Sequence, residues 1–271
     1  MNKLTVPQLE LLSKKTRIHL LKMIHDAKAG HPGGSLSSVE IMLTLYFHIM
    51  NHNPEDPDRD RFVLSKGHAA PLLYTVLMEA GYIPRSTDQL RKYGTVLQGH
   101  PDAMKTNGVE ISSGSLGNGL SVSSGIAAAA KIDGKKTRVY CLLGDGECDE
   151  GLVWEAALMA SSINLDNLTA IVDRNMLQID GCTEDLICLE PLPDKWRAFN
   201  WNVIECDGHS YEELIKAFNE TKSHKGQPTV IIANTVKGKG VSFMEHNVGF
   251  HGKAPNDEEL KQALEELEEA Q

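Results

Sequence analysis

The run Val139-Tyr140-Cys141-Leu142-Leu143-Gly144-Asp145-Gly146 decides the fold of this chain. Its uncharged, apolar start reads as a buried strand, and an aspartate between two glycines marks a sharp exit from it. A helical stretch follows from Leu152 to Ile163, and a second apolar run spans Leu168 to Val172. Strand, helix, strand is the repeating unit of a parallel sheet. Further on, Asn202 to Cys206 and Thr229 to Thr235 predict two more strands around a helical Tyr211-to-Asn219 segment. The expected class is therefore α/β, a parallel sheet with helices on both faces.

Upstream, the pattern turns helical. Thr5-Val6-Pro7-Gln8 is a capping box ahead of apolar positions at Leu9, Leu12, Leu20, Leu21 and Ile24, with Gly30 as the stop. Ser37-Ser38-Val39-Glu40 reads as a second capping box, opening a helix through Ile41, Leu43, Leu45 and Tyr46. At the far end, Asn256 with Glu259 predicts the cap of an acidic helix running to Ala270. No repeat, low-complexity linker or charge break divides the chain, so one domain over 1–271 is expected, with a long N-terminal helical region and an acidic C-terminal helix.

Composition narrows the function classes. The 271 residues carry a formal charge of −10, which disfavours a nucleic-acid binder because that affinity rests on clustered Lys and Arg. No uncharged apolar run approaches the roughly 18 residues of a membrane span, and the N-terminus lacks the order of a secretory signal. Five cysteines with no Cys-x-x-Cys pair support neither a disulfide framework nor a zinc ribbon. A cytoplasmic protein with reduced thiols is expected, without nucleic-acid or membrane partners.

Loops at the carboxyl ends of parallel strands are where such sheets bind ligands. Gly144-Asp145-Gly146 offers close backbone approach to a diphosphate and one hard oxygen for Mg²⁺. The next strand runs out at Asp173-Arg174-Asn175, which places a second oxygen-bearing side chain at the neighbouring strand end. Asp145, Asn175 and a backbone carbonyl near Leu177 make a sufficient protein ligand set beside a bound diphosphate, because Mg²⁺ keeps several waters. Either element alone is more often a plain turn or a cap; the spacing of the two favours a site. Four histidines stand beside glycines in loops, His31, His68, His100 and His251, and imidazole is the side chain suited to moving protons near neutral pH. His19, His25, His48 and His52 lie in or beside helices and read as structural. Lys237-Gly238-Lys239-Gly240 reads as the start of a loop leading to His251, and no phosphate loop or Rossmann fingerprint is present.

Gly144-Asp145-Gly146 with Asn175 resembles the thiamine-diphosphate motif, and its continuation through Gly151 resembles the transketolase version of it. Gly30-His31-Pro32-Gly33, Ser65-Lys66-Gly67-His68, Gly99-His100-Pro101, Ser113-Gly114-Ser115-Leu116-Gly117-Asn118-Gly119 and Phe250-His251-Gly252 are similar to transketolase segments in the family's order. The resemblance implies a thiamine-diphosphate-binding fold and the cofactor pair thiamine diphosphate and Mg²⁺, with Ca²⁺ or Mn²⁺ as substitutes. It implies that His68, Gly146, Asn175 and His251 face the diphosphate, with Asp145, Asn175 and the Leu177 carbonyl on the metal. Ile179 would pack near the thiazolium, and the backbone of Gly114 and Leu116 would hold the aminopyrimidine. His31 and His100 would handle substrate hydroxyls, while Glu150 and Glu155 match acidic positions that link active sites across a subunit interface. Arg174 departs from the family, standing where an acidic or polar residue is common.

The carboxylic acid that activates the aminopyrimidine belongs in this family to the following pyrimidine-binding domain, and the motifs here run out before it. A split enzyme is expected: a glycolaldehyde transferase moving a two-carbon ketol unit between sugar phosphates, active only with a C-terminal transketolase subunit that supplies the catalytic glutamate, in an α2β2 assembly. Alternatives are a split transketolase for a modified sugar such as apulose phosphate or a sulfosugar, a 1-deoxyxylulose-5-phosphate synthase-like enzyme, and the alpha subunit of a 2-oxo acid dehydrogenase, which the His31 and His68 loops disfavour. From another class comes a non-catalytic assembly subunit that keeps only the fold.

Overall fold

The computed structural model describes residues 3–269. In chain order it shows α1 (Val6–Ala27), α2 (Pro32–Leu36), α3 (Val39–Thr44), β1 (Arg61–Leu64), α4 (Ala70–Glu79), α5 (Asn118–Ile132), β2 (Val139–Gly144), α6 (Gly151–Ser162), β3 (Leu168–Arg174), α7 (Thr183–Leu186), α8 (Leu192–Ala198), β4 (Asn202–Asp207), α9 (Tyr211–Ser223), β5 (Thr229–Asn234) and α10 (Asp257–Glu269). The strands form one parallel sheet in the order β1-β2-β3-β5-β4.

Alternation along the strands explains the layering. Val139, Cys141 and Leu143 of β2, with Val230 and Ile232 of β5, join a core that includes Val153, Ala157 and Trp196 of α6 and α8. Tyr140 and Leu142 of β2, with Ile231 and Ala233 of β5, join the core of the other face, beside Leu20, Ile24, Leu73 and Phe218 of α1, α4 and α9. With both faces covered, the strands read as continuous apolar runs. Gly144 pairs with Asp173 in register, so Asp145 and Asn175 leave the sheet side by side. No described helix is long and apolar enough to cross a membrane.

Two local predictions meet their geometry. The Thr5 N–H donates to Gln8 Oε1 at 2.9 Å; Asn256 and Glu259 cap each other reciprocally, at 2.8 Å and 2.9 Å. The predicted helix end at Ala270 lies outside the described residues.

The strand β1 does not follow from the sequence reading, because four residues after an Asp/Arg-rich stretch give too short a pattern. The capping box at Ser37 and Glu40 is corrected. Helix α3 starts after Ser38 without a side-chain cap, and the Ser37 hydroxyl donates instead to Asp173 Oδ2 at 2.6 Å. Glu40 is buried against Arg17 at 2.8 Å and His209 at 2.9 Å. Although burial opposes it, Arg17 and then His209 hold the Glu40 carboxyl at about 2. Tertiary pairing has overridden the local motif.

The distinction is measurable. Removing a cap costs about 1 kcal/mol, whereas leaving a buried ion pair half-empty costs about 3–5 kcal/mol. Glu40→Ala is expected to fall in the second range in urea unfolding, and a loss near 1 kcal/mol would restore the capping role.

Candidate active site

At the carboxyl edge of the sheet, a cleft of about 160 Å³ is lined by Gly34, Lys66, His68, Leu116, Gly144, Asp145, Gly146, Glu147, Asn175, Leu177, Gln178, Ile179, Lys237 and His251. Every strand end from β1, β2, β3 and β5 reaches it or its floor. A larger hollow lined by Leu4, Tyr46, Phe47, His48 and His52, among others, brings two imidazoles together but has no carboxylate among its described lining residues.

Asp173 forms the floor. Its carboxylate pairs with Lys66, both side chains being fully buried, and it accepts from Ser37 at 2.6 Å, Ser38 at 3.1 Å, Asn175 Nδ2 at 3.0 Å and the Thr235 hydroxyl. Lys66 also donates to the Gly34 carbonyl at 2.8 Å. Above the floor, Asp145 Oδ1 accepts from the Gly146 N–H at 2.8 Å, and Oδ2 accepts from the Met176 N–H at 2.6 Å. Asn175 Oδ1 accepts from the Leu177 N–H at 3.1 Å. Asp145, Asn175 and Leu177 thus bring one carboxylate, one amide and one backbone carbonyl to the cleft lining, a hard mixed set suited to Mg²⁺.

Arg174 now has a place. Its buried guanidinium lies 3.3 Å from Asp145 Oδ2 and pairs with Glu184 at 2.7 Å and Glu190 at 2.8 Å. It ties the segment around α7 to the strand end. Glu147, which the sequence reading passed over, has a similar task. It accepts from the Ser65 hydroxyl, from the Gly117 N–H at 2.8 Å and from the Gly144 N–H at 3.0 Å, so it joins the ends of β1 and β2 to the glycine-rich loop before α5.

The four loop histidines converge. Ring centroids of His31 lie 5.4 Å from His68, 5.6 Å from His251 and 6.3 Å from His100, and His68 lies 5.2 Å from His251. Gly114 stands against the His100 ring at φ +151°, a conformation few L side chains adopt. Leu116 and Ile179 form rims of the cleft, and Ile179 remains 63% exposed. His31, His100 and Gly114 flank the lining rather than belong to it. By contrast, His25 bridges α1 to Asp257 at 2.8 Å and His48 Nδ1 donates to the Leu4 carbonyl at 2.8 Å, as structural histidines do.

Lys237 corrects the reading of its glycine-lysine segment as a mere lead-in to His251. It lines the cleft, and its ammonium donates to the Leu177 carbonyl at 2.7 Å. Its one sequence signal was position, immediately after a strand end. Burial and then Lys66 lower it to about 8. The imidazoles follow the same logic: burial and then His100 bring His31 to about 4, burial and then Lys237 bring His251 to about 3, and burial and then Lys66 depress His68 strongly. Asp145 moves upward, from burial and the nearby Asp173.

The residues fit an anionic cofactor carrying a metal. Nδ1 of His31 and Nδ1 of His251 are buried and meet no partner among the described residues, as groups awaiting a ligand do. Gly146 packs so closely that an added Cβ would stand 2.8 Å from Gln178 Cβ, so a residue without a side chain is needed at this point of the cleft lining.

Residues 10–268 match the family described as transketolase, thiamine diphosphate binding domain. The chain belongs to the transketolase family. It is 44% identical over 268 residues to one of the subunits of the apulose-4-phosphate transketolase of Phocaeicola vulgatus, covering 97% of this chain and 95% of that one. Over 252 residues it is 45% identical to the 6-deoxy-6-sulfo-D-fructose transketolase subunit SqwG of a Clostridium species, covering 92% of each. The crystal structure of Campylobacter jejuni transketolase superimposes with a TM-score of 0.91 at 33% identity, over 98% of this chain but only 43% of that one. The chain thus spans nearly all of the subunit-sized members and about two-fifths of that full-length one, and it has the fold expected from its motifs.

Neutral imidazoles give a pH test. Unfolded histidine titrates near about 6.5, so below that value the unfolded chain binds protons that His31, His68 and His251 refuse in the fold. Stability is complete above about 6.5 and falls as pH drops toward the folded values. The urea midpoint is expected to decline between pH 7 and pH 5, and less steeply in His251→Asn. An equal decline in His251→Asn and the parent chain would show that this ring is not held neutral.

Proposed function

We propose that this chain is the diphosphate-binding subunit of a split transketolase, which transfers a two-carbon ketol unit from a ketose phosphate to an aldose phosphate. The observation that carries the reading is the cluster of four loop histidines, two of which, His68 and His251, line the cleft together with Asp145, Asn175 and Leu177 at neighbouring strand ends. When bound, thiamine diphosphate supplies the electron sink that lets a ketose carbon–carbon bond break.

The chain's own residues bind, orient and move protons. Asp145, Asn175 and the Leu177 carbonyl hold Mg²⁺. His68, His251, Lys237, Asn175 and the Gly146 backbone face the diphosphate, the backbone of Gly114 and Leu116 meets the aminopyrimidine, and Ile179 supports the thiazolium side. His31 and His100 exchange protons with substrate hydroxyls, for which neutral rings are the competent form. Their convergence pre-orients both proton carriers at one mouth of the cleft.

A separate partner chain brings the pyrimidine-binding domain and its glutamate, in keeping with the subunit designations of the two relatives above. Two copies of each chain are favoured by the outer faces of α5 and α6. Val122 and Ile132 of α5, Leu158 and Met159 of α6 and Ile163 just after it are exposed, as are Glu150 and Glu155, and exposed apolar side chains of this kind suit a second copy of this chain. All five thiols are free, which supports a cytoplasmic setting. The relatives' names make apulose 4-phosphate and 6-deoxy-6-sulfo-D-fructose the first donors to try, beside ordinary ketose phosphates.

Co-purification of the partner, followed by a donor and acceptor screen, tests this reading. Turnover is expected only from the complex, and Asp145→Ala is expected to weaken Mg²⁺-dependent cofactor binding by more than about a hundredfold, beyond the effect of outer-shell changes. Ketol transfer by this chain alone, or unchanged cofactor affinity in Asp145→Ala, would refute it.

A further inference from the structure

The Lys237 ammonium sits on the very oxygen assigned to the metal. Its 2.7 Å hydrogen bond to the Leu177 carbonyl is made within a loop already shaped by other bonds. The Leu177 N–H is held by Asn175 Oδ1 at 3.1 Å, the Gln178 N–H donates to the Gly181 carbonyl at 2.9 Å, and Leu177 bridges Cys182. These bonds, made by the protein alone, hold Leu177 in the cleft lining.

The lysine backbone is equally fixed. The Gly238 N–H donates to the Gly33 carbonyl and the His246 N–H to the Lys237 carbonyl, each at 3.0 Å. The Val236 N–H donates to His209 Nε2 at 2.8 Å, which leaves the proton on Nδ1 for Glu40 at 2.9 Å. Arg17 Nε closes this anchor on the Lys239 carbonyl at 3.1 Å. Only the flexible side chain can move, and a lysine stem allows that.

A divalent ion bound about 2.0–2.1 Å from the carbonyl and an ammonium on the same oxygen repel each other at a distance where the protein screens poorly. Both cannot stay. We propose that Lys237 is a stand-in for the metal, capping the Leu177 carbonyl in the unloaded chain and releasing it on loading, when the ammonium swings to the diphosphate. This rests on the reading of Asp145, Asn175 and Leu177 as metal ligands. Lys237 is then a positioning residue that penalises metal binding alone and favours metal together with diphosphate, which couples the two ligands.

The test uses the full chain with Mn²⁺ as probe, titrated by electron paramagnetic resonance with and without inorganic pyrophosphate. Lys237→Met removes the competing cation, so Mn²⁺ alone is expected to bind about tenfold more tightly, the scale of one charged hydrogen bond. The same substitution is expected to weaken Mn²⁺-dependent pyrophosphate binding by about tenfold or more. Lys237→Gln, a neutral donor, is expected to shift both constants in the same directions by less, and it serves if the Met variant fails to fold. Mn²⁺ affinity unchanged or weakened in the folded variants would overturn the proposal. Asp145→Ala separates the two failures. If it abolishes Mn²⁺ binding while Lys237→Met changes nothing, only the stand-in role is lost; if it leaves Mn²⁺ binding intact, the metal site itself is misassigned.

Discussion

The buried pair of Lys66 and Asp173 is the constraint on which the cleft depends. It couples the end of β1 to the end of β3, and Asp173 adds Thr235 after β5 and the hydroxyls of Ser37 and Ser38 beside α2 and α3. Burial alone would raise the Asp173 carboxyl, but Lys66 and the surrounding hydroxyls overcome this and hold it at about 2. Such a pair adds little net stability when weighed against apolar packing. What it fixes is geometry, because four chain segments distant in sequence must meet on one carboxylate.

From that floor upward, the cleft is arranged for an anion although the chain is acidic overall at −10. Lys66 and Lys237 supply positive charge, and together with burial they keep the neighbouring imidazoles neutral. Asp145 stands against this trend, a carboxylate raised by burial and by Asp173; a divalent cation would relieve it. Arg174 offsets part of that repulsion from the outer side and binds the α7 segment through Glu184 and Glu190.

Local features of this architecture were legible in the sequence. Strands β2, β3 and β5 announce themselves because both faces are buried and the apolar runs are unbroken; the caps at Thr5 and Asn256 are short-range bonds that a residue pattern records directly. Asp145 and Asn175 could be paired because adjacent parallel strands end together. Long-range pairing left no such record. Nothing near Lys66 indicates that it meets a residue 107 positions away, and Ser37 and Glu40 imitate a capping box while serving Asp173 and Arg17. Lys237 was hidden for the same reason, since its partner Leu177 lies 60 positions earlier.

The most direct test of this account is a double-mutant cycle on Lys66→Met and Asp173→Leu, read by urea unfolding. Each single change strands a buried charge and is expected to cost about 3–5 kcal/mol, while the double variant recovers a coupling of about 2–3 kcal/mol. Additive losses, with no recovery in the double variant, would contradict the central place given to this pair.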